Sequence, residues 1–238
     1  MSIPVKRDGG SRRGRPRTLG AAESSDEDGR RRIVLAALHA FAERGFHGTS
    51  IPEIARSANV GVASIYRRFD DKEHLVNAVF RETKSRLRDA LLLGLDLSGS
   101  PRTTFLEVWS RLVRFQREQA LAFQFLEMQD HVPYLDAESR AVEASLLVPL
   151  FAATAAAISS GHRGAARPDV LIAIVWGAFV GLVKAVRLGY LAVDDATFQR
   201  AGEACFAVLA PSLERAAESV SASTMMGRPR RPRVTRGG

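Results

Sequence analysis

Apolar side chains recur along this chain at steps of three and four residues, the period of a helix with one buried face. No stretch shows the two-residue alternation of a half-buried strand. A first helix is predicted to start after Ser25, where Asp26, Glu27 and Asp28 would complement its dipole, and to end at Gly45. Two short helices follow about a turn at Asn59. Ile54, Ala55 and Ala58 form the narrow apolar face of one, and the other runs from Gly61 to Phe69, burying Val60, Ile65 and Phe69. From Asp71 a long helix carries Leu75, Val76, Val79, Phe80, Leu87, Leu91 and Leu92 to about Leu95. Ser98-Gly99-Ser100-Pro101 breaks it, with Pro at the start of a helix through Phe105, Val108, Trp109, Leu112 and Phe115. Further helices are predicted from about Glu118 to Asp130, from about Asp136 to Ser159 with a kink at Pro149, from Pro168 to Gly189, and from Asp194 to Leu209. The reading is all-α, with about nine helices. A three-helix unit (25–72) precedes a larger helical unit (73–218), between disordered basic ends at 1–24 and 219–238.

The densest information lies between Thr49 and Leu75. Ser50 with Glu53 forms a capping box that satisfies two otherwise orphan donors, and Asp70 with Glu73 is a second capping pair. Asn59 tolerates a positive φ and can carry the turn. Val62, Ala63, Ser64, Tyr66, Arg67 and Arg68 are left off the buried face of the second short helix. Two short helices about a close turn, the second presenting hydroxyls and cations, make a helix-turn-helix able to enter a DNA major groove.

The run Thr49-Ser50, Ile54-Ala55, Ala58-x-Val60, Ile65-Tyr66, Phe69, Lys72-Glu73 and Leu75 resembles the DNA-binding signature of TetR/AcrR-type transcriptional regulators. Ala40-Phe41-x-x-x-Gly45-Phe46 is similar to that family's first helix, so the resemblance covers about Arg30 to Phe80 of the 238 residues. Gly61 departs from the Ser or other capping residue usual there, and Asn59 from the usual Gly. The resemblance implies a homodimeric repressor, not an enzyme, that binds a palindromic DNA operator and is released by a small effector. It implies that Thr49, Ser50, Tyr66 and Lys72 grip phosphates together with Ser64 and Arg68. Val62, Ala63 and Arg67 would meet base edges, the first two through thymine methyls.

Charge supports a DNA partner. Residues 1–20 hold six Lys/Arg against Asp8, residues 219–238 hold five Arg and no acid, and the whole chain is +8, so the stretch between them is −2. Within it, residues 30–72 carry eight cations against four acids. Both ends contain Gly-Arg-Pro-Arg, at 14–17 and 227–230. Pro keeps such a peptide extended, so Arg15 and Arg17 can lie in a minor groove beside the helix-turn-helix. A solvated basic tail is the plainer account, and it is favoured for the second copy. The two tails also carry a rival reading, an architectural protein of A·T-rich DNA.

The larger unit suggests a ligand site and a dimer. Phe105, Trp109, Phe123, Met128, Phe151, Trp176 and Phe179 concentrate apolar bulk there. Such stripes are usually core, but the resemblance makes them candidates for an effector pocket suited to an apolar or aromatic molecule. Val170 to Val183 is apolar nearly all round, with Gly177 and Gly181 one turn apart. Paired with the helix of Phe198 and Phe206, it is the expected interface of an intersubunit four-helix bundle.

Other chemistry is thinly represented. There is no Walker A loop, HExxH or GxSxG, so no cofactor is expected. Glu127, Asp130 and His131 share a helix face, which is read as a histidine near a helix end rather than a metal site. A single Cys205 excludes an intrachain disulfide, no secretory signal follows the basic start, and Val170–Val183 is short for a bilayer span. These point to the cytoplasm.

Overall fold

The computed structural model describes residues 19–97, 99–158 and 167–213, and all regular elements among them are helical. The head comprises α1 (Leu19–Arg44), α2 (Ile51–Ser57) and α3 (Val62–Tyr66). Helix α4 (Lys72–Leu92) leads into a body of α5 (Pro101–Glu118), α6 (Ala120–Met128), a 3-10 turn at Val132–Tyr134, α7 (Ala137–Ile158), α8 (Pro168–Arg187) and α9 (Asp195–Leu213).

Local chemistry sets several of these boundaries. Glu53 accepts from the Ser50 backbone N–H at 3.0 Å and from its hydroxyl at 2.8 Å, and these two bonds hold the Glu53 carboxyl below its usual range. Asn59 takes φ +52° at the turn. The cap of α4 is Asp71 rather than Asp70, because its carboxylate accepts from His74 N–H at 2.6 Å. Ser100 caps α5 by accepting from Thr103 N–H, ahead of Pro101. Helix α1 begins earlier than Asp26, which sits inside the helix and forms a distant ion pair instead of serving the first turn.

Head and body share one apolar core. Ile33, Ala37, Phe41, Ile54, Ile65, Leu75 and Val79 close the head. Leu87, Leu91, Trp109, Phe123, Phe125 and Phe179 continue that core into the body. Helix α4 packs along α7, and α6 lies on α1, so the head is fastened at two places. Gly202 on α9 is required by a close approach, since a Cβ there would stand 2.6 Å from the Trp109 ring. Helix α8 extends beyond the Val170–Val183 run to 20 residues. By length and composition it could cross a membrane, which corrects the expectation from the run alone.

Candidate nucleic-acid interface and effector cavity

Helix α3 is short and starts at Gly61 without a side-chain cap. Ile65 plugs it into the core at 0 % exposure, while Val62, Ala63, Tyr66 and Arg67 face outward. Arg67 Nη2 donates to Ser64 Oγ at 2.7 Å, so these two side chains form one surface group. Ser50 is exposed at the start of α2. Lys72 donates to the Phe46 and Thr49 carbonyls at 2.9 and 3.0 Å and stands 4.1 Å from the Phe46 ring centroid. It remains partly exposed, and an ammonium has a third N–H, so Lys72 fixes the α1–α2 loop and can still meet an anion.

Two assignments change. Thr49 is buried, with its hydroxyl 3.0 Å from the Ala40 carbonyl and 2.9 Å from that of Gly45. That hydroxyl closes the loop and is not offered to DNA. Arg68 folds back on α1, donating to the Ser64 carbonyl at 2.9 Å and pairing with Asp26. Its guanidinium lies over Gly29, where a Cβ would come within 3.1 Å. Of the two adjacent arginines, Arg67 therefore lies on the exposed face of α3 and Arg68 ties that helix to α1. Arg15 and Arg17 lie outside the described residues.

Contacts absent from the sequence reading join head to body. Phe46 stacks on Tyr134 with centroids 4.0 Å apart, and the Tyr134 hydroxyl meets His47 Nε2 at 2.7 Å. Gln124 and Gln129 both donate to the Ala42 carbonyl, at 2.7 and 3.1 Å, near the end of α1. On α4, Asn77 donates to the Tyr134 carbonyl at 2.7 Å and accepts from Asp136 N–H and the Ser139 hydroxyl.

A cavity of about 420 Å³ opens at the far end of the body from α3, between the end of α4 and helices α5, α7, α8 and α9. Leu91, Phe105, Trp109, Leu150, Val175 and Trp176 are among its walls, and among the described residues no charged one lines it. Its polar atoms are already engaged. Trp109 Nε1 donates to the Phe198 carbonyl and Trp176 Nε1 to Glu127, both at 2.8 Å, while the Thr104 and Thr154 hydroxyls donate to main-chain carbonyls. Of the seven candidate pocket residues, Phe105, Trp109 and Trp176 line the cavity. Phe123, Met128, Phe151 and Phe179 do not; Phe123 and Phe179 are packed edge to face in the core.

The dimer candidates divide in the same way. Gly177 and Gly181 stand on an open face of α8, where an added Cβ would meet no atom within 4 Å. Val170, Ala173, Ile174 and Ala178 share that exposed face, while Leu171, Phe179 and Val183 turn inward. Phe198 and Phe206 are instead buried within the subunit, Phe206 against Phe105 at 5.5 Å and Phe198 near Phe179 at 6.3 Å. Helix α9 contributes Ala204, Ala207 and Val208 to the exterior.

The Glu127–Asp130–His131 group does not converge. No cluster of three or more potential ligands occurs among the described residues. His131 is buried, with Nε2 on the Phe125 carbonyl, and burial pushes its pKa down. Glu127 is half-buried. Burial raises its pKa against the pull of Lys84 and the Trp176 hydrogen bond, with Glu143 adding to the rise.

Comparison with known proteins places this geometry. Residues 33–79 match the model for bacterial regulatory proteins of the tetR family, and residues 80–210 match that for a tetracyclin repressor-like C-terminal domain. Over 63 residues the chain is 43 % identical to the HTH-type transcriptional regulator BetI of Escherichia coli. The match covers 26 % of this chain and 32 % of BetI, so the chain spans about a third of the length of the curated relatives it matches. A tetR family transcription regulator from Marinobacter aquaeolei has a similar structure, with TM-score 0.68 and 23 % identity over 77 % of this chain and 96 % of that one. The transcriptional regulator FadR from Bacillus subtilis, solved in complex with stearoyl-CoA, aligns with TM-score 0.59 and 18 % identity over 75 % and 96 %.

Proposed function

The chain belongs to the tetR family of bacterial regulatory proteins, whose members are ligand-responsive DNA-binding regulators of transcription, and we propose that this one is a dimeric repressor released by an apolar effector. The observation that carries the reading is the pairing of two sites on one frame. Helix α3 turns Val62, Ala63, Tyr66 and Arg67 outward, and α4 runs from the Lys72 clasp on the head to Leu91 in the cavity wall.

On this reading Ser50, Ser64, Tyr66 and Lys72 grip phosphates, and Val62, Ala63 and Arg67 meet base edges. Arg15 and Arg17 would add minor-groove contacts flanking the site. The open face of α8 supports a second copy as its cover. A small-residue stripe allows close approach of a twin helix, and paired heads read paired half-sites. Covering that face also accounts for the apolar exterior of α8 without a membrane, and the cytoplasm is the proposed location. The uncharged lining supports an effector that is apolar along most of its length, and a long acyl chain of the kind carried by the FadR ligand belongs to that class. The tails behind the architectural alternative lie outside the described residues, and nothing described favours it.

The test is selection of duplexes from a random pool, followed by footprinting. A short palindrome protected by two protomers is expected. Uniform coverage of A·T-rich DNA would overturn the reading.

A further inference from the structure

A partly buried ionic cluster lies between the cavity and α4. Trp176 shows its ring to the cavity and gives its indole N–H to Glu127 Oε2 at 2.8 Å. Glu127, on α6, feels the charge of Lys84, a side chain on α4 that is only 8 % exposed. Lys84 Nζ stands 3.4 Å from Glu143 Oε1 on α7 and 5.6 Å from the Phe80 ring centroid. One buried ammonium thus faces two carboxylates. It is placed on Glu143, and the indole N–H serves Glu127 in its stead.

We infer that Trp176, Glu127 and Lys84 form the route by which an occupant of the cavity moves α4. The inference rests on reading that cavity as the effector site. An apolar occupant cannot hydrogen-bond the Glu127 carboxylate, so one that turns the Trp176 indole leaves a half-buried acid without its donor. The cation that already acts on Glu127 is Lys84, and standing 3.4 Å from Glu143 it must shift toward Glu127 to supply the missing donor. The cluster therefore has two arrangements, and the choice between them shifts Lys84 relative to α7. Because α4 is one continuous helix of about 30 Å, a displacement at Lys84 reaches Asn77, bound to the Tyr134 carbonyl, and Lys72, bound to the Phe46 and Thr49 carbonyls. The head then reorients through contacts already in place. A bistable packed element of this kind is what coupling between two sites requires.

The probe is 1,6-diphenyl-1,3,5-hexatriene, a hydrocarbon fluorophore without a hydrogen-bond donor, and the DNA is a duplex selected from a random pool by the full chain. Two quantities are read: the probe's Kd, and the factor by which saturating probe weakens duplex binding. For the wild type that factor is expected to be about tenfold, within the usual span of coupling between sites. Trp176→Phe keeps the apolar wall and removes the N–H; Glu127→Gln keeps the shape and removes the charge. Glu127→Gln, outside the cavity wall, should bind the probe within about threefold of wild type, and in both variants the coupling factor at saturating probe should fall below about two. Glu143→Gln frees Lys84 for Glu127 and should weaken duplex binding with no probe present. Wild-type coupling in Trp176→Phe and Glu127→Gln would overturn the route. So would tight probe binding to the wild type without effect on the duplex. Failure of the underlying site reading looks different: the probe would not bind the wild type, or Ala153→Trp, which fills the cavity, would leave probe affinity unchanged.

Discussion

The head and the body treat their surfaces in opposite ways. In the head, most apolar side chains are spent on the core, with Leu35 and Val62 exposed, and the outward positions of α3 carry Val62, Ala63, Tyr66 and Arg67. Even its cations fasten it, Lys72 to two loop carbonyls and Arg68 to Asp26 and the Ser64 carbonyl. In the body, apolar surface is left over twice, on the walls of a 420 Å³ cavity and along α8 from Val170 to Gly181. On the proposed reading the outward groups of the head meet DNA. The body leaves a cavity and an exposed apolar helix face, which on that reading take a small apolar molecule and a second subunit.

The sharpest way to break that contrast is Gly181→Arg. Within one subunit a Cβ at this exposed position has open space around it, so folding should be unaffected. Buried between two copies, an unpaired guanidinium costs several kcal/mol, enough to dissociate the dimer. A folded monomer by sedimentation, with operator affinity lower by at least about 100-fold, is expected. Phe206→Ala is the counterpart, because that ring is buried inside the subunit and its loss should lower the melting temperature without separating protomers first. If the Gly181→Arg protein stays dimeric, the interface lies elsewhere.

The same contrast governs what could be read from the sequence. The head was legible because its determinants are local. Ser50 and Glu53 are three residues apart, Asn59 has the φ its residue type allows, and Ile54 and Ile65 show their burial by helical spacing. Its misreading of Thr49 is local, since that hydroxyl turns back to the Gly45 and Ala40 carbonyls, whereas that of Arg68 is a contact across the chain. Arg68 finds Asp26 42 residues away, and nothing near Arg68 distinguishes it from Arg67. In the body, Phe123 and Phe179 have the same periodicity as Phe105, Trp109 and Trp176, yet only the latter three line the cavity. Helical period reports that a face is buried, but not whether it meets side chains or a void. For the same reason Phe198 and Phe206 were assigned to the dimer, although they pack on the subunit's own α8 and α5 aromatics. The Trp176–Glu127 and Trp109–Phe198 pairs span 49 and 89 residues and leave no local trace.

Packing should differ between the two regions. Ile65→Ala in the closed head should cost about 2–5 kcal/mol, because it opens a cavity among fully packed neighbours. Val175→Ala on the cavity wall should cost less, since one side of that side chain already faces a void. Chemical denaturation of each variant measures both. Equal losses would mean that the wall is as tightly packed as the head.

Within the head, the division between grip and reading is open to a smaller test. Lys72→Met should weaken binding to all duplex variants alike, by about tenfold, because a phosphate contact carries no sequence information. Loss of its two carbonyl contacts should also lower the head's melting temperature. Val62→Ser should instead alter which base pair is preferred and leave the melting temperature in place, since Val62 is already exposed. A changed preference in the Lys72 variant, with none in the Val62 variant, would reverse the two roles.

The smallest expected effect separates the regions by their response to acid. His39, His47 and His74 in and beside the head are exposed, whereas the body buries His131 between the Phe125 carbonyl and the Phe80 and Phe125 rings. Burial lowers the pKa of His131, with Lys84 acting in the same direction and Asp130 and Glu143 opposing. In the unfolded chain the imidazole binds its proton as pH falls through 6.5, and in the folded chain only at lower pH. Between those points the unfolded state holds more protons, so this group withdraws stability as pH falls. Glu127 acts with the opposite sign, because its raised carboxyl is protonated in the folded chain at a higher pH than in the unfolded one. Comparing His131→Gln with the wild type isolates the histidine part. Both tryptophans, Trp109 and Trp176, lie in the body, so denaturation followed by their fluorescence reports on the body. From about pH 7.5 to about pH 5.5 the wild type should lose more stability than the variant, a window that brackets the unfolded histidine value. Parallel losses would show that the imidazole is protonated in the folded body despite its burial.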